Sequence, residues 1–223
     1  VGAIVVTAIV VVAVLSLSGG EAGPLADLVG DDAPETPEFA FDAAKPKPVE
    51  TRAEPNHKRA VAAAQAPAKA AIDRLDELYT AAFLDPGNWM DGEYDDVLAF
   101  FAGDARDAAE KQIDVLTAGP AAGDAFESIR PMPSTLKLQV LLDPAGVPRA
   151  VEGSVRFVAR GAGADTLVML VSKGQFILQK DDGEWVVVSF SVQRHDEKRE
   201  VRPDATSSPG ASGGAEPSAA EAS

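Results

Sequence analysis

The apolar residues of this chain change period once, from helix-like spacing to strand-like alternation, and that switch constrains the fold more than any motif does. In the segment PAKAAIDRLDELYTAAFLDPGNW, Ile72, Leu75, Leu78 or Tyr79, Ala82 and Phe83 recur at three and four residues, one apolar stripe along a helix. Pro67 suits the first turn of that helix, and Asp85-Pro86-Gly87 supplies its stop. A short helix carrying Val97, Leu98, Phe100 and Phe101 is expected next. A longer one runs from about Asp104 to Thr117, with Ala105, Ala109, Ile113 and Leu116 on one face and Gly119-Pro120 as its end.

Beyond this point the period is two. Leu136, Leu138, Val140 and Leu142 alternate with Lys137 and Gln139, as a strand buried on one face requires. After a turn at Asp143-Pro144-Ala145-Gly146, a second strand sets Val151, Val155, Phe157 and Ala159 against Glu152, Ser154, Arg156 and Arg160. The third, TLVMLVSKGQFILQK, carries Gly174 in its middle, where a bulge or bend is expected. Asp182-Gly183 is a hairpin signal, and EWVVVSFSVQRH is the last strand. Helices grouped before consecutive strands give an α+β domain over residues 67–195, three helices packed on a curled four-stranded antiparallel sheet.

The flanks differ in composition. Val1 to Ser18 is an uncharged apolar run. About 18 residues at 1.5 Å each cover roughly 27 Å, close to a ~30 Å hydrocarbon core, so a transmembrane anchor is expected over 1–18; a secretory signal peptide is the alternative. Seven acidic residues precede the first basic one, Lys45, which places the C-terminal body outside, at a single-pass cell-membrane protein. Residues 19–66, acidic and rich in Pro and Ala, read as a disordered linker, in which Phe39 and Phe41 are either spacer or docking peptide. Residues 196–223 read as a disordered tail.

The formal net charge is −15, which argues against nucleic acid and against peripheral docking on anionic lipid. With no cysteine there are no disulfides, thiol nucleophiles or cysteine zinc sites. The two histidines, His57 and His195, have no metal-binding spacing. Asp85, Asp91, Glu93, Asp95 and Asp96 cluster, but Gly87 and Trp89 fall where an EF-hand needs its first and third ligands, so a solvated loop is the reading. Gly161 to Asp165 imitates a dinucleotide glycine motif, yet lies between two strands and reads as a turn. Ser154 lacks the glycine of a nucleophile elbow. No catalytic residue, metal ligand set or cofactor is assigned.

The helical first half, the loop from Asp85-Pro86 to Trp89 and the hairpin DGEWVVVSFSV resemble the nuclear transport factor two-like superfamily, over about Pro67 to His195. Anchor, acidic linker and lone domain together are similar to its actinobacterial membrane-anchored members, such as the mammalian-cell-entry-associated proteins. The resemblance implies a cone-shaped fold enclosing an apolar pocket. Its lining would come from Tyr79, Phe83, Trp89, Tyr94, Phe100, Phe101, Phe157, Met169, Phe176 and Trp185, with His195 at the strand end. The function expected is that of a membrane-anchored extracytoplasmic accessory or scaffolding protein without catalytic activity. Its partners would be the membrane, through the N-terminal helix, and a membrane complex or a second copy. The alternatives are binding of an apolar small ligand or lipid in the cone, or isomerase-type proton transfer with His195 or an acidic residue as base.

Overall fold

The structure, a computed structural model, describes residues 35–50, 56–164 and 166–200. The apolar run Val1–Ser18 and most of the expected tail lie outside those residues. Among the described residues no helix is long and apolar enough to cross a membrane. The expected architecture, a transmembrane helix followed by three helices on a four-stranded antiparallel sheet, is corrected: the fold is α+β around a six-stranded mixed sheet.

Four long strands form the body of the sheet: β3 (Ser128–Leu142), β4 (Pro148–Ala162), β5 (Thr166–Asp181) and β6 (Glu184–Glu200), each antiparallel to the next. The two strands missing from the sequence reading are β1 (Asp42–Ala43) and β2 (Lys47–Glu50), which pair parallel with β3 along its outer edge. They come from the segment expected to be linker. Two- and four-residue strands interrupted by Pro48 carry almost no alternation, so their signal is confined to Phe39 and Phe41. Burial of Phe41 to 6% exposure, with Phe39 packed beside it, holds this strap to the domain.

Helix α1 spans His57–Tyr79, ten residues earlier than Pro67 implies. Asn56 caps it, its side chain accepting from the Arg59 N–H at 3.1 Å. Pro67 therefore sits inside the helix, where a proline lacks an N–H and normally costs about 3 kcal/mol. Its buried face, Ala60, Ala64, Ala68, Ala71, Leu75 and Leu78, is mostly alanine, which brings the helix close against the sheet. At that contact Gly153 of β4 has no Cβ; one would lie 2.9 Å from Leu75 Cδ1.

A π-helical turn, Thr80–Leu84, closes with the Asp85 N–H on the Thr80 carbonyl at 2.9 Å and buries Ala82, Phe83 and Leu84 in succession. Asp85 then starts an element as well as ending one: its carboxylate accepts from the Gly87 N–H at 2.9 Å and caps α2 (Pro86–Trp89), with Pro86 in the first turn. Helix α3 (Asp95–Leu98) follows. The long helix expected from Asp104 to Thr117 is divided at Gln112 into α4 (Asp104–Lys111) and α5 (Ile113–Leu116), and α6 (Ala122–Ala125) leads into β3.

β3 begins at Ser128, eight residues before the alternation that starts at Leu136, and runs through Pro131 and Pro133 with a register shift between Met132 and Thr135. There Ser134 restores the ladder: its Oγ accepts from the Val158 N–H at 2.9 Å and donates to the Met132 carbonyl at 2.8 Å. The bulge expected at Gly174 is instead between Ile177 and Leu178. Gly174 has a different role, because a Cβ there would stand 2.6 Å from Val192 Cγ2 on the neighbouring strand. The β5–β6 turn uses Asp182 and Gly183, both at positive φ, as the Asp-Gly pair demands. The last strand runs past His195 to Glu200, five residues into the segment expected as tail.

Candidate functional site

The inner face of the sheet carries Val155, Phe157, Ala159, Leu170, Phe176 and Leu178, all buried. Helix α1 lies over it, and the strap closes the side. Tyr79, Phe83 and Phe157 meet there with ring centroids 4.8 to 5.6 Å apart. Phe41 stands edge-on to Tyr79 at 5.2 Å, and Phe39 edge-on to Phe157 at 5.4 Å and to Phe41 at 4.9 Å. These are favourable edge-to-face geometries. The rings continue from Tyr79 through Phe176 (6.0 Å) and Phe190 (6.4 Å) to Phe101 (5.3 Å). Where an apolar ligand would lie against Tyr79 and Phe157, the chain has placed its own Phe39 and Phe41.

Polar groups in this interior are few and satisfied locally. The Tyr79 hydroxyl and Ser172 Oγ are 3.1 Å apart, a buried pair, and burial pushes the Tyr79 phenol far above its ordinary value despite that hydrogen bond. The polar side chains buried among the described residues are Thr117, Ser134 and Ser172, none of which titrates near neutral pH. Trp89 is 1% exposed, and its Nε1–H has no hydrogen-bond partner among the described residues. Among the described residues no cluster of His, Cys, Asp or Glu could hold a metal ion.

The remaining sequence candidates are spread over the molecule. Tyr94 donates from its hydroxyl to the Gly119 carbonyl at 3.0 Å, and burial raises its pKa against the opposing pull of Thr117 and Arg194. Phe100 lies under the Arg74 guanidinium, 4.1 Å from its ring centroid. Trp185 is half-buried at the far hairpin, with the Lys180 ammonium 6.0 Å over its ring. His195 is exposed, 4.0 Å from Glu197, and far from the enclosed position a general base needs. Met169 lies on the other face of the sheet, paired with Arg160 and Glu197. The single aromatic cavity implied by the resemblance is therefore not assembled: Tyr79, Phe83, Phe157, Phe176 and Phe101 share one stack, while Tyr94, Trp185 and His195 stand elsewhere.

Two polar residues that hold this arrangement escaped the sequence reading. Asp76 accepts the Phe41 N–H at 2.9 Å and so fastens the strap to α1. Burial raises its pKa, the Phe41 N–H opposes this, and the neighbouring Asp73 and Glu77 add to the rise. Its signal was its position one residue after Leu75 and three before Tyr79, at the margin of the apolar stripe. Arg194 belongs to the inward set of β6, in register with the buried Ser172. Its guanidinium donates to the carbonyls of Asp114 (3.0 Å) and Thr117 (2.6 Å) and grips Asp196 through two bonds of 2.9 and 2.6 Å. It thereby binds the last carbonyls of α5 to the sheet end. Beside it lies an open groove of about 1070 Å³ between β6 and residues 114–126; Arg194 is already fully engaged within its wall.

Chemically, the interior can pack and can bind apolar surface if the strap yields; it presents no carboxylate or imidazole to a substrate. No protein-family model matches the chain, and no curated protein matches it.

Proposed function

We propose that this chain is a membrane-tethered accessory or scaffolding domain that acts by binding rather than by catalysis. The observation that carries the reading is the filled interior: Phe39 and Phe41 occupy the mouth of the cone over Tyr79, Phe83 and Phe157, and the buried polar groups there are hydroxyls. Proton transfer at a bound small molecule needs an inward acid or base in reach of the substrate, and His195, the histidine considered for that role, is exposed. The tether rests on the uncharged run Val1–Ser18, and the extracytoplasmic placement on the acidic sequence that follows it. The likeness to the cone-shaped nuclear transport factor two-like proteins supports a binding role in the same way, since that architecture presents one broad open sheet face.

Crosslinking with mass spectrometry in native membranes tests this. Crosslinks from lysines of the domain to one reproducible membrane-associated partner are expected. Recovery of monomer alone, under conditions that capture known membrane complexes, would contradict it.

A further inference from the structure

On its outer face the sheet carries an uncompensated basic patch, and we infer that this face docks on the surface of an anionic phospholipid bilayer. The inference rests on the tethered reading above. Strand register places Arg130, Lys137, Arg156, Arg160 and Lys173 on one face, all exposed. Arg130 sits directly opposite Arg160, and Arg156 directly opposite Lys173. Like charges directly opposite on neighbouring strands are destabilising. Among the described residues none of the five makes an ion pair or a side-chain hydrogen bond, although the face also carries Asp42, Glu152 and Glu197. Five unpaired cations, two pairs of them in mutual repulsion, are an arrangement that an external anion relieves.

The charge of the whole chain hides this patch. Between Asp85 and Glu127, in the helical layer and its loops, acidic residues outnumber basic ones eleven to two. The charge is therefore unevenly spread, acidic over residues 85–127 and basic on the outer sheet. A basic face of this kind does not suit pairing with its own copy, which would set cation against cation. It suits a plane of negative charge, where each Lys or Arg near the surface adds favourable interaction within about one Debye length.

Two details favour phospholipid over an acidic protein. A shallow hollow of about 360 Å³ on this face is bordered by Arg156, Lys173, Gln175, Gln193, Ser154 and Ser191. Two cations, two amides and two hydroxyls are donors matched to a phosphate headgroup with several acceptor oxygens. The same face exposes Met132 (40%), an apolar side chain at the level of the headgroups. The anchor read over Val1–Ser18 would hold the chain at a membrane. Tethering of this kind raises the effective concentration of lipid at the face.

The absence of native cysteine makes the test direct. The full chain carrying Gln175→Cys on the outer face, or Asp107→Cys on α4, is labelled with a fluorophore and bound to vesicles containing brominated lipid. One set is phosphatidylcholine alone, and the other includes about 30% phosphatidylglycerol. Quenching of the Gln175 probe should rise at least about threefold with the anionic lipid, fall back near 0.5 M salt, and disappear with Arg156→Glu/Lys173→Glu, while the Asp107 probe stays unquenched. Equal quenching of the two probes, or no dependence on phosphatidylglycerol, would overturn the inference, as would protection of the Gln175 probe by an acidic polypeptide and not by vesicles. Release of the chain from neutral vesicles at high salt would instead count against the tether. In that event co-sedimentation of the same chain with anionic vesicles, compared with the charge-reversed variant, still decides the docking face.

Discussion

Asp76 is a carboxylate held where its charge is poorly tolerated, and it is held there because the strap needs an acceptor for the Phe41 N–H. Its pKa is raised in the folded protein, so between the unfolded carboxylate value and the folded one the native state retains a proton that the unfolded chain has released. Stability from this group is fully present below the unfolded value and is lost as pH rises through the folded one. Asp76→Asn keeps an oxygen acceptor and removes the charge, so the variant should be more stable than the parent at pH 7 and should lack the decline above about pH 4. Asp143 works in the opposite sense. Its carboxylate is lowered mainly by the Val147 N–H, then by Arg149 and the Ala145 N–H, and contributes stability above the unfolded value that fades as pH falls through the folded one. Urea midpoints measured for parent and Asp76→Asn from pH 3 to 8 separate the two slopes. An unchanged profile in the variant would mean that Asp76 does not carry the decline.

Among the elements, α1 shows both what the sequence discloses and where it misleads. The stripe through Ile72, Leu75 and Tyr79 identified the helix, and the alternation of Leu136, Leu138, Val140 and Leu142 identified the central strand, because a buried face imposes its period directly on the residue types. Pro67 reads as a first-turn residue because the run before it is almost all alanine and has no clear stripe. Alanine forms helix without needing one, and Asn56 had already started the element. The same blindness covers β1 and β2: a parallel edge strand of two or four residues takes its stability from the ladder of β3 and two phenylalanine rings, and neither is visible as periodicity. Gly174 was read as a bulge when it makes room for Val192, a distinction only the neighbouring strand can supply. At the site, ring-bearing residues were found but their grouping was not, since stacking depends on which strands pair. Pro67 also yields a test. Replacement by alanine restores an N–H to the helix interior and should raise stability by about 2 kcal/mol, less what the more flexible unfolded chain takes back. A loss of stability in chemical unfolding would show that the buried proline ring is needed for packing.

At the scale of the molecule, a filled interior stands beneath a sheet whose outer face is basic. A net charge of −15 excluded anionic partners only on the assumption that charge is evenly spread; the register of β3, β4 and β5 removes that assumption. The interior bears more directly on the proposed function, because an interior filled by the strap's own Phe39 and Phe41 leaves the outer surfaces for binding. That claim stands or falls on whether residues 35–50 are part of the folded unit. Hydrogen exchange in the full chain measures it at two amides, the Phe41 N–H on the Asp76 carboxylate and the Ala44 N–H on the Leu136 carbonyl at 2.9 Å. Exchange slowed by about a thousandfold or more, equivalent to an opening free energy near ~4 kcal/mol, is the predicted result. Exchange within about tenfold of the unprotected rate at both amides would contradict it, leaving Tyr79 and Phe157 uncovered.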